Sequence, residues 1–447
     1  MSEFRILAPH LDPEANAVRF AFECPRFGRF EEAVRFAPHA PLAGLEADVR
    51  DRLLTLAAIL IGTSYYKAAP AGRVQVETGL TGAARHLAGL AYGPGLGEFY
   101  VRNALPYPPA LEITGPDLAD APAAPSGEPA HPRAVCAFGG GKDSHVARAM
   151  LEAAGAQTEL ISVILSNRVG ARLQAMAGAL LTLMTRTIDP RLIALSRSGE
   201  ALNGHIPITG INSCLLALHA AASGQDWVAF ANERAASEPT LMTPEGHEVN
   251  HQFSKSLAFE DALRAAFQAA GAGLEYFSVL RPVSELWTAH YLARRAPHAL
   301  DVFASCNRNF VFAGEAALAD GQRWCGTCSK CVYTSVLMAC WLAPGRHETV
   351  FQGSPLHDPA NLAHGLDIAG LTGAKPWECV GETREVAAAF LHLSADSAWS
   401  DAAVVAGVRD ALSKRWELGE LEAAFAGALD ARSEHRMPAR VAAAMNA

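Results

Sequence analysis

The stretch Ala134-Val135-Cys136-Ala137-Phe138-Gly139-Gly140-Gly141-Lys142-Asp143-Ser144 decides the fold of this chain. Its first five residues are apolar, which is typical of a buried strand, and a helix can begin at Ser144. The three glycines between strand and helix can adopt positive φ angles and can approach an anion closely, because they carry no Cβ atom. The unpaired N–H groups of the helix N-terminus attract an anion to the same place. The stretch therefore predicts an anion-binding turn at the carboxyl end of a strand.

The residues of this turn are suited to a triphosphate. We expect Lys142 to supply a mobile cation, Asp143 to hold Mg²⁺, and Ser144 to cap the helix while its hydroxyl faces a phosphate. The spacing excludes the Walker loop and the dinucleotide-binding fingerprint. It resembles the PP-loop of ATP pyrophosphatases, Ser-Gly-Gly-x-Asp-Ser, with Gly139 at the position of the usual Ser. The resemblance implies that ATP binds to Gly139, Gly140, Gly141, Lys142, Asp143 and Ser144; the alternative is a glycine-rich turn without a ligand.

The overall composition and charge indicate which kinds of molecule this protein can bind. The chain has 447 residues, a formal charge of −9 and no basic run, which argues against a nucleic acid as partner and favours a small-molecule substrate. No uninterrupted apolar stretch reaches about 18 residues, and the N-terminus lacks a signal pattern, so we expect no membrane partner and a cytoplasmic location. The nine cysteines indicate reduced thiols or metal ligands rather than a disulfide framework.

A proline-rich linker at residues 115–133 separates two parts of the chain. Beyond it, strands are predicted at 134–138, 160–165, 227–231 and 276–280, alternating with helices at 144–154, 171–185 and 258–270. This alternation predicts an α/β fold, a central parallel sheet with helices on both faces. We predict three domains: an N-terminal α+β domain with its linker at 1–130, the PP-loop domain with the cysteine cluster at 131–343, and a mainly helical C-terminal region at 344–447.

A cysteine cluster lies near the end of the predicted PP-loop domain. Cys325, Cys328 and Cys331 are separated by two residues each, a spacing at which thiolates can share one tetrahedral Zn²⁺. Cys306 is the best candidate for the fourth ligand. An iron–sulfur cluster, a redox thiol set and reduced thiols without metal stay open. The tail resembles the end of PP-loop enzymes of the 7-cyano-7-deazaguanine synthase type, and the resemblance implies a structural zinc.

Three polar segments are candidates for the mouth of the sheet, and we expect the first two to bind substrate: Asn203-Gly204-His205, Asn232-Glu233-Arg234 and the segment 250–256 with His251 and Lys255. The second follows a predicted strand, whose carboxyl end faces the ligand crevice of an open α/β sheet. Each segment can also be ordinary loop sequence.

The order of these segments, together with Lys375-Pro376-Trp377-Glu378-Cys379-Val380-Gly381, resembles the UDP-N-acetyl-α-D-muramoyl-L-alanyl-L-glutamate epimerase family over most of the chain. The resemblance implies an isomerase of peptidoglycan precursor synthesis, which inverts the terminal L-Glu of UDP-MurNAc-L-Ala-L-Glu to D-Glu and converts ATP to AMP and pyrophosphate with Mg²⁺. Lys142 and Asp143 would then act in adenylation, and Cys379, His251 and Lys255 are the candidates for proton transfer. The alternatives are an amide ligase or nucleobase-modifying enzyme of the deazaguanine type, and a nucleotide sensor without turnover.

Overall fold

The computed structural model describes residues 2–122, 127–178, 180–310, 318–373, 376–378, 380–431 and 434–445. Its strands are β1 (Glu3–Ile6), β2 (His10–Asp12), β3 (Ala17–Cys24), β4 (Gly28–Arg35), β5 (Arg73–Val76), β6 (Glu112–Thr114), β7 (Arg133–Ala137), β8 (Gln157–Ile164), β9 (Leu181–Thr187), β10 (Trp227–Phe230), β11 (Leu241–Met242), β12 (Glu248–Val249) and β13 (Glu275–Ser278).

The described residues also form α-helices. They are α1 (Ala47–Tyr66), α2 (Gly82–Tyr92), α3 (Gly97–Arg102), α4 (Lys142–Ala153), α5 (Asn167–Ala177), α6 (Pro190–Ser198), α7 (Ile208–Ser223), α8 (Leu257–Ala269), α9 (Glu285–Arg295), α10 (Ser329–Ala339), α11 (Pro344–Phe351), α12 (Leu362–Ile368), α13 (Thr383–Ala395), α14 (Ala403–Leu412), α15 (Leu418–Ala426) and α16 (Ala439–Ala444). None of these helices combines the length and apolar character needed to cross a bilayer.

One large sheet runs through the molecule in the order β13-β10-β7-β8-β9-β4-β3-β1-β5-β6, and β2 pairs with β3. The five strands from β13 to β9 are parallel, which confirms the predicted α/β fold with a central parallel sheet. Beyond β9 the pairing becomes antiparallel through β4, β3 and β1. The N-terminal strands therefore extend the sheet of the central part, a continuity that the sequence analysis did not predict.

Two hydrophobic cores cover the two faces of the sheet. Side chains of a strand alternate between faces, so Val135 of β7 belongs to the core with α1, α7 and α8, while Cys136 faces the core with α4, α9 and α10. The helices α4, α5, α7 and α8 connect parallel strands, and their N-termini consequently lie at the carboxyl edge of the sheet. The glycine-rich turn after β7 lies at this edge.

The prediction of one helix at residues 171–185 is wrong beyond Ala177. Gly178 adopts a left-handed conformation with φ of 58° and ends α5, as glycine does at many helix C-termini. The following residues form β9, in which Leu181 and Met184 are buried. The threonines of this segment favour an extended backbone because they are branched at Cβ. β9 is the strand that joins the parallel sheet to the N-terminal hairpin.

Candidate functional site

The glycine loop connects β7 to α4 and is closely packed. Gly140 has φ of 74°, a conformation that glycine adopts without strain, and a Cβ atom there would lie 2.5 Å from the Met176 sulfur. Gly141 is the N-cap residue of α4, which begins at Lys142. The predicted helix start and cap at Ser144 are therefore wrong: Ser144 lies in the first turn, and its hydroxyl donates to the Gly141 carbonyl at 2.9 Å.

A cavity of about 410 Å³ lies beside the loop, at the carboxyl edge of the parallel strands. Its polar lining includes several residues that the sequence singles out, namely Gly139, Gly141, Asp143, Ser144, Asn232 and Lys255. The sequence analysis did not identify the other polar lining residues, which are Ser162, Thr209, Asn212, Ser305, Asn307 and Lys330. These groups are far apart in the sequence, and only the topology of the sheet brings them together.

Lys142 has a different environment from the predicted mobile cation. The residue is 2% exposed, and its ammonium group forms ion pairs with Asp143 and Glu285. Although burial alone would lower the pKa of Lys142, the charges of Asp143 and Glu285 raise it above its usual value. Lys142 is therefore a fixed, fully charged group behind the loop, while the partly exposed Asp143 carboxylate reaches the cavity wall.

The helix α9 holds the buried partner of Lys142. Ser284 caps this helix, accepting from the Trp287 amide at 3.0 Å. The Glu385 carboxylate accepts from the amide of Leu286 at 2.6 Å. Burial raises the pKa of Glu385 to about 7, and the neighbouring Glu285 charge acts in the same direction. The C-terminal region thus fixes the end of α9 that places Glu285 against the glycine loop.

The predicted substrate-binding residues after β10 point to three different places. The Asn232 amide donates to the Ser278 hydroxyl at 2.9 Å and lines the cavity. Glu233 is buried, and its charge contributes to the raised pKa of Lys142. Arg234 pairs with Glu382 at 2.8 Å and lines a separate cavity of about 300 Å³.

His205 and His251 meet at the buried carboxylate of Glu98, and we call these three residues the carboxyl-edge cluster. The His251 Nδ1 atom lies 2.5 Å from a Glu98 oxygen, and the His205 Nδ1 atom lies 3.6 Å from the same oxygen. Burial and the neighbouring His251 lower the pKa of His205 to about 4, so this imidazole is neutral at pH 7. Asn203 is close by, where it accepts from Lys67 at 2.7 Å.

The carboxyl-edge cluster is linked to the cavity by the segment 250–256. Lys255 lines the cavity, and its charge also lowers the pKa of His205. Its ammonium group donates to the Gln252 side chain at 3.4 Å. Two predicted catalytic residues, His251 and Lys255, therefore belong to one polar region with His205. Glu98 was missed because nothing in the sequence around α3 distinguishes it from a surface glutamate.

The four predicted metal ligands, Cys306, Cys325, Cys328 and Cys331, come together. The sulfur atoms of Cys306 and Cys328 are 4.0 Å apart, those of Cys325 and Cys331 3.7 Å, and those of Cys328 and Cys331 3.5 Å. A tetrahedral Zn²⁺ with Zn–S bonds of about 2.3 Å requires sulfur separations of roughly 3.8 Å. The arrangement of the thiols therefore fits a four-thiolate metal site.

Cys379 lies outside the described residues, as does Lys375 of the same motif. The neighbouring Glu378 carboxylate accepts from the Asn307 amide at 3.0 Å and from the Ser329 hydroxyl at 2.5 Å. The Gly381 amide donates to the Tyr333 hydroxyl at 2.8 Å. The role of Cys379 stays a prediction from the sequence.

The fold and the site together define an α/β protein with a glycine loop, a polar cavity and a carboxylate–imidazole cluster at the carboxyl edge of its parallel strands. Comparisons with known proteins give the family. The MurL N-terminal domain matches residues 1–279, and the MurL C-terminal domain matches residues 302–423. The chain belongs to the MurL family.

Curated relatives cover most of this chain. The UDP-N-acetyl-alpha-D-muramoyl-L-alanyl-L-glutamate epimerase of Salinispora tropica is 36% identical over 408 residues, which are 89% of this chain and 85% of the relative. The protein of the same name from Xanthomonas oryzae pv. oryzae is 34% identical over 443 residues, 98% of this chain and 95% of the relative. The family resemblance predicted from the sequence motifs is confirmed.

Proposed function

We propose that this protein inverts the terminal L-Glu of UDP-MurNAc-L-Ala-L-Glu to D-Glu, with conversion of ATP to AMP and pyrophosphate. The names of the relatives support the epimerisation. The polar cavity beside the glycine loop is the observation that supports use of a nucleotide, because helix N-termini at the carboxyl edge of parallel strands favour phosphate groups.

Adenylation explains why an epimerase needs a phosphate-binding loop. The α-proton of glutamate is weakly acidic, because its removal next to a carboxylate creates a dianion. A glutamate carboxylate oxygen forms a bond to the α-phosphorus of ATP, and the bond from that phosphorus to the bridging oxygen breaks and releases pyrophosphate. The uncharged acyl group accepts the electron pair left by proton removal. A proton then returns on the opposite face, and water hydrolyses the acyl adenylate to D-Glu and AMP.

The chain offers groups for each step. The glycine loop and the start of α4 would bind phosphates, and the Asp143 carboxylate at the cavity wall would hold Mg²⁺. For proton transfer, His251 is the first candidate among the described residues, because Glu98 contacts its Nδ1 atom and fixes the ring. Lys255 is the second, since it lines the cavity. Cys379 is retained on the sequence argument.

The remaining polar residues would bind substrate. Asn203, His205 and Asn232 are near the same edge of the sheet and can contact the polar UDP-sugar or peptide. Glu233 and Arg234 have charged neighbours of their own. Their assignment to substrate binding stays a sequence prediction.

The four-cysteine cluster would hold a structural Zn²⁺. Elemental analysis of protein purified without chelator is expected to give one zinc per chain, and the Cys328→Ser variant is expected to lose it. The Cys340→Ser variant, which changes a thiol outside the cluster, serves as control and should keep the metal. Protein without any bound metal in the wild type would contradict the assignment.

The proposed function is tested by incubating the purified protein with UDP-MurNAc-L-Ala-L-Glu, ATP and Mg²⁺, followed by hydrolysis and chiral analysis of the glutamate. We expect D-Glu, AMP and pyrophosphate, and no D-Glu when ATP is omitted. An amide product in the presence of ammonia would indicate a ligase. ATP binding without turnover would indicate a sensor. Either result would overturn the proposal.

The nucleotide arm of the proposal is tested at Asp143. Replacing Asp143 with Asn removes the carboxylate that would hold Mg²⁺, so pyrophosphate release is expected to fall by about 100-fold or more. Asp410→Asn is a matched control, because the Asp410 side chain is 68% exposed on the C-terminal helix α14. Unchanged pyrophosphate release in Asp143→Asn would refute the role of Asp143.

A further inference from the structure

The cation expected from the glycine loop is buried behind it. Lys142 is 2% exposed, is paired with Asp143 and Glu285, and is not among the described residues that line the cavity. A bound triphosphate carries several negative charges, and charge-assisted hydrogen bonds from cations compensate them most strongly. The cavity wall contains two other lysines, Lys255 and Lys330. Lys255 is a candidate for proton transfer, which leaves Lys330 as the cation for the phosphates.

The cysteine cluster supplies part of that wall. We call residues 304–307 and 325–331 the cysteine lobe, because they contain the four clustered thiols. Ser305, Asn307 and Lys330 of this lobe line the cavity together with Cys306. In the sequence, Lys330 lies between Cys328 and Cys331, and the sulfur atoms of these two cysteines are 3.5 Å apart. Its ammonium group lies 5.3 Å from the centre of the Tyr333 ring.

The cysteine lobe is attached directly to the glycine loop. The Ala304 amide donates to the Gly140 carbonyl at 2.9 Å. A Cβ atom on Gly141 would lie 3.1 Å from the Ser305 hydroxyl, so the Ser305 side chain packs closely against the glycine loop. On its other side the lobe is tied to the C-terminal region, because Glu378 accepts from Asn307 and Ser329. The position of the lobe thus sets the shape of the cavity.

We infer that Lys330 is the cation that binds the β- and γ-phosphates of the nucleotide, and that the four-thiol site positions it. The inference rests on the proposed function. It gives the cysteine cluster a role in ligand binding in addition to its role in folding, because the metal-binding turn and the phosphate-binding side chain belong to the same seven residues. Lys142 then acts from behind the loop as a fixed charge that holds Asp143.

The test is a comparison of ATP and AMP affinities, measured by isothermal titration calorimetry on the full chain. Lys330→Gln should weaken ATP binding at least tenfold and change AMP binding less than threefold, because AMP lacks the two outer phosphates. Lys330→Arg should recover most of the ATP affinity, since it restores the charge. Lys414→Gln makes the same chemical change at an exposed lysine and should leave both affinities unchanged.

A purely structural effect has a different signature. If Lys330 only supported the lobe, Lys330→Gln would weaken ATP and AMP equally and would lower the unfolding midpoint, and this outcome overturns the inference. Unchanged ATP affinity in Lys330→Gln, with ATP bound by the wild type, also overturns it and leaves the proposed function intact. Absence of ATP binding by the wild type would refute the proposed function and this inference with it.

The second half of the inference is tested at the cysteines. Cys328→Ser should weaken ATP binding at least tenfold while α-helical content, followed by circular dichroism, is retained. Cys340→Ser should bind ATP like the wild type. Wild-type ATP affinity in a Cys328→Ser protein that has lost its metal would show that the cluster does not position Lys330.

Discussion

Two clusters of this molecule contain the same groups, two imidazoles and one carboxylate, and lie at opposite edges of the sheet. The carboxyl-edge cluster is Glu98, His205 and His251. At the other edge, near the amino ends of β8 and β9, are His39, Glu159 and His219, the amino-edge cluster. In each cluster, the imidazole nitrogens and the carboxylate oxygen that could bind a metal ion lie within 4.8 Å of one another. Composition and spacing do not distinguish the two clusters.

The surroundings of the two clusters distinguish them. The carboxyl-edge cluster adjoins the glycine-loop cavity through Lys255, whose charge acts on His205. At the amino edge, Thr182 donates to the Glu159 carboxylate at 2.7 Å and Gln225 at 3.2 Å. The buried Nδ1 atom of His219 has no hydrogen-bond partner among the described residues. We therefore propose that the first cluster acts in catalysis and that the second contributes to packing.

The two clusters should differ most in the effects of His251→Gln and His219→Gln on epimerisation. His251→Gln removes a proposed acid or base, so epimerisation should fall about 100-fold or more while pyrophosphate release continues. His219→Gln should leave epimerisation within about twofold and should lower the free energy of unfolding by about 1–3 kcal/mol, because a buried hydrogen-bonding group is replaced. Chiral product analysis and urea denaturation measure the two effects. Loss of epimerisation in His219→Gln, with epimerisation retained in His251→Gln, would assign catalysis to the amino-edge cluster instead.

A smaller difference is expected between the carboxylates. We propose that Glu98 positions the His251 ring, so Glu98→Gln should reduce kcat about tenfold with little change in KM. The acid limb of its pH–rate profile should move to lower pH, since a neighbouring carboxylate favours a protonated imidazole. Glu159→Gln should leave the profile unchanged. An unshifted pH–rate profile in Glu98→Gln would indicate that Glu98 contributes only to packing.

Glu159 should instead appear in the pH dependence of stability. Burial alone would raise its pKa, but hydrogen bonds from His219 and Thr182 lower the pKa of Glu159 from 4.5 to about 2. Because the folded-state pKa is below the unfolded one, this group stabilises the fold above about pH 4.5, and the contribution is lost as the pH falls toward 2. Glu159→Gln should therefore lose less unfolding free energy than the wild type between pH 5 and 2, measured by denaturant titration at each pH. Parallel curves would contradict this assignment.

The smallest effect is expected at His39. Its side chain is 54% exposed, and it contacts Glu159 at 2.8 Å. Exposed pairs of this kind contribute about 0–1 kcal/mol, so His39→Ala should change the unfolding free energy by less than about 1 kcal/mol and leave epimerisation unchanged. A larger loss of either would mean that the amino-edge cluster has a function.

The sequence identified the parts of the site that are local. The glycine loop follows its strand, and the three close cysteines share one turn, so their residue types and spacing reveal them. Glu98 and Lys330 were missed because their significance depends on contacts with residues far along the chain. Glu98 meets a histidine more than a hundred residues away, and only the fold brings Lys330 and Gly139 to the wall of the same cavity.

The fold also has features that were predicted from local sequence and features that depend on distant residues. Amphipathic and apolar periods predicted most central strands and helices, because each is decided within a short window. The helix predicted through residue 185 failed at Gly178, where a left-handed residue ends the helix and an extended strand follows. The continuity of the sheet across β4 and β9 depends on long-range pairing and on the buried ion pair of Glu32 with Arg186. Such pairing leaves no local signal.

Adenylation before inversion is the central claim, and hydrogen exchange at the glutamate α-carbon tests it most directly. The wild-type protein is incubated with UDP-MurNAc-L-Ala-L-Glu and Mg²⁺ in D₂O, with and without ATP, and the α-carbon is analysed by mass spectrometry. With ATP, the product D-Glu should carry deuterium and AMP should accumulate; without ATP, the substrate should stay unlabelled. Deuterium at the α-carbon in the absence of nucleotide would contradict the account, since the proton would then leave without activation of the carboxylate.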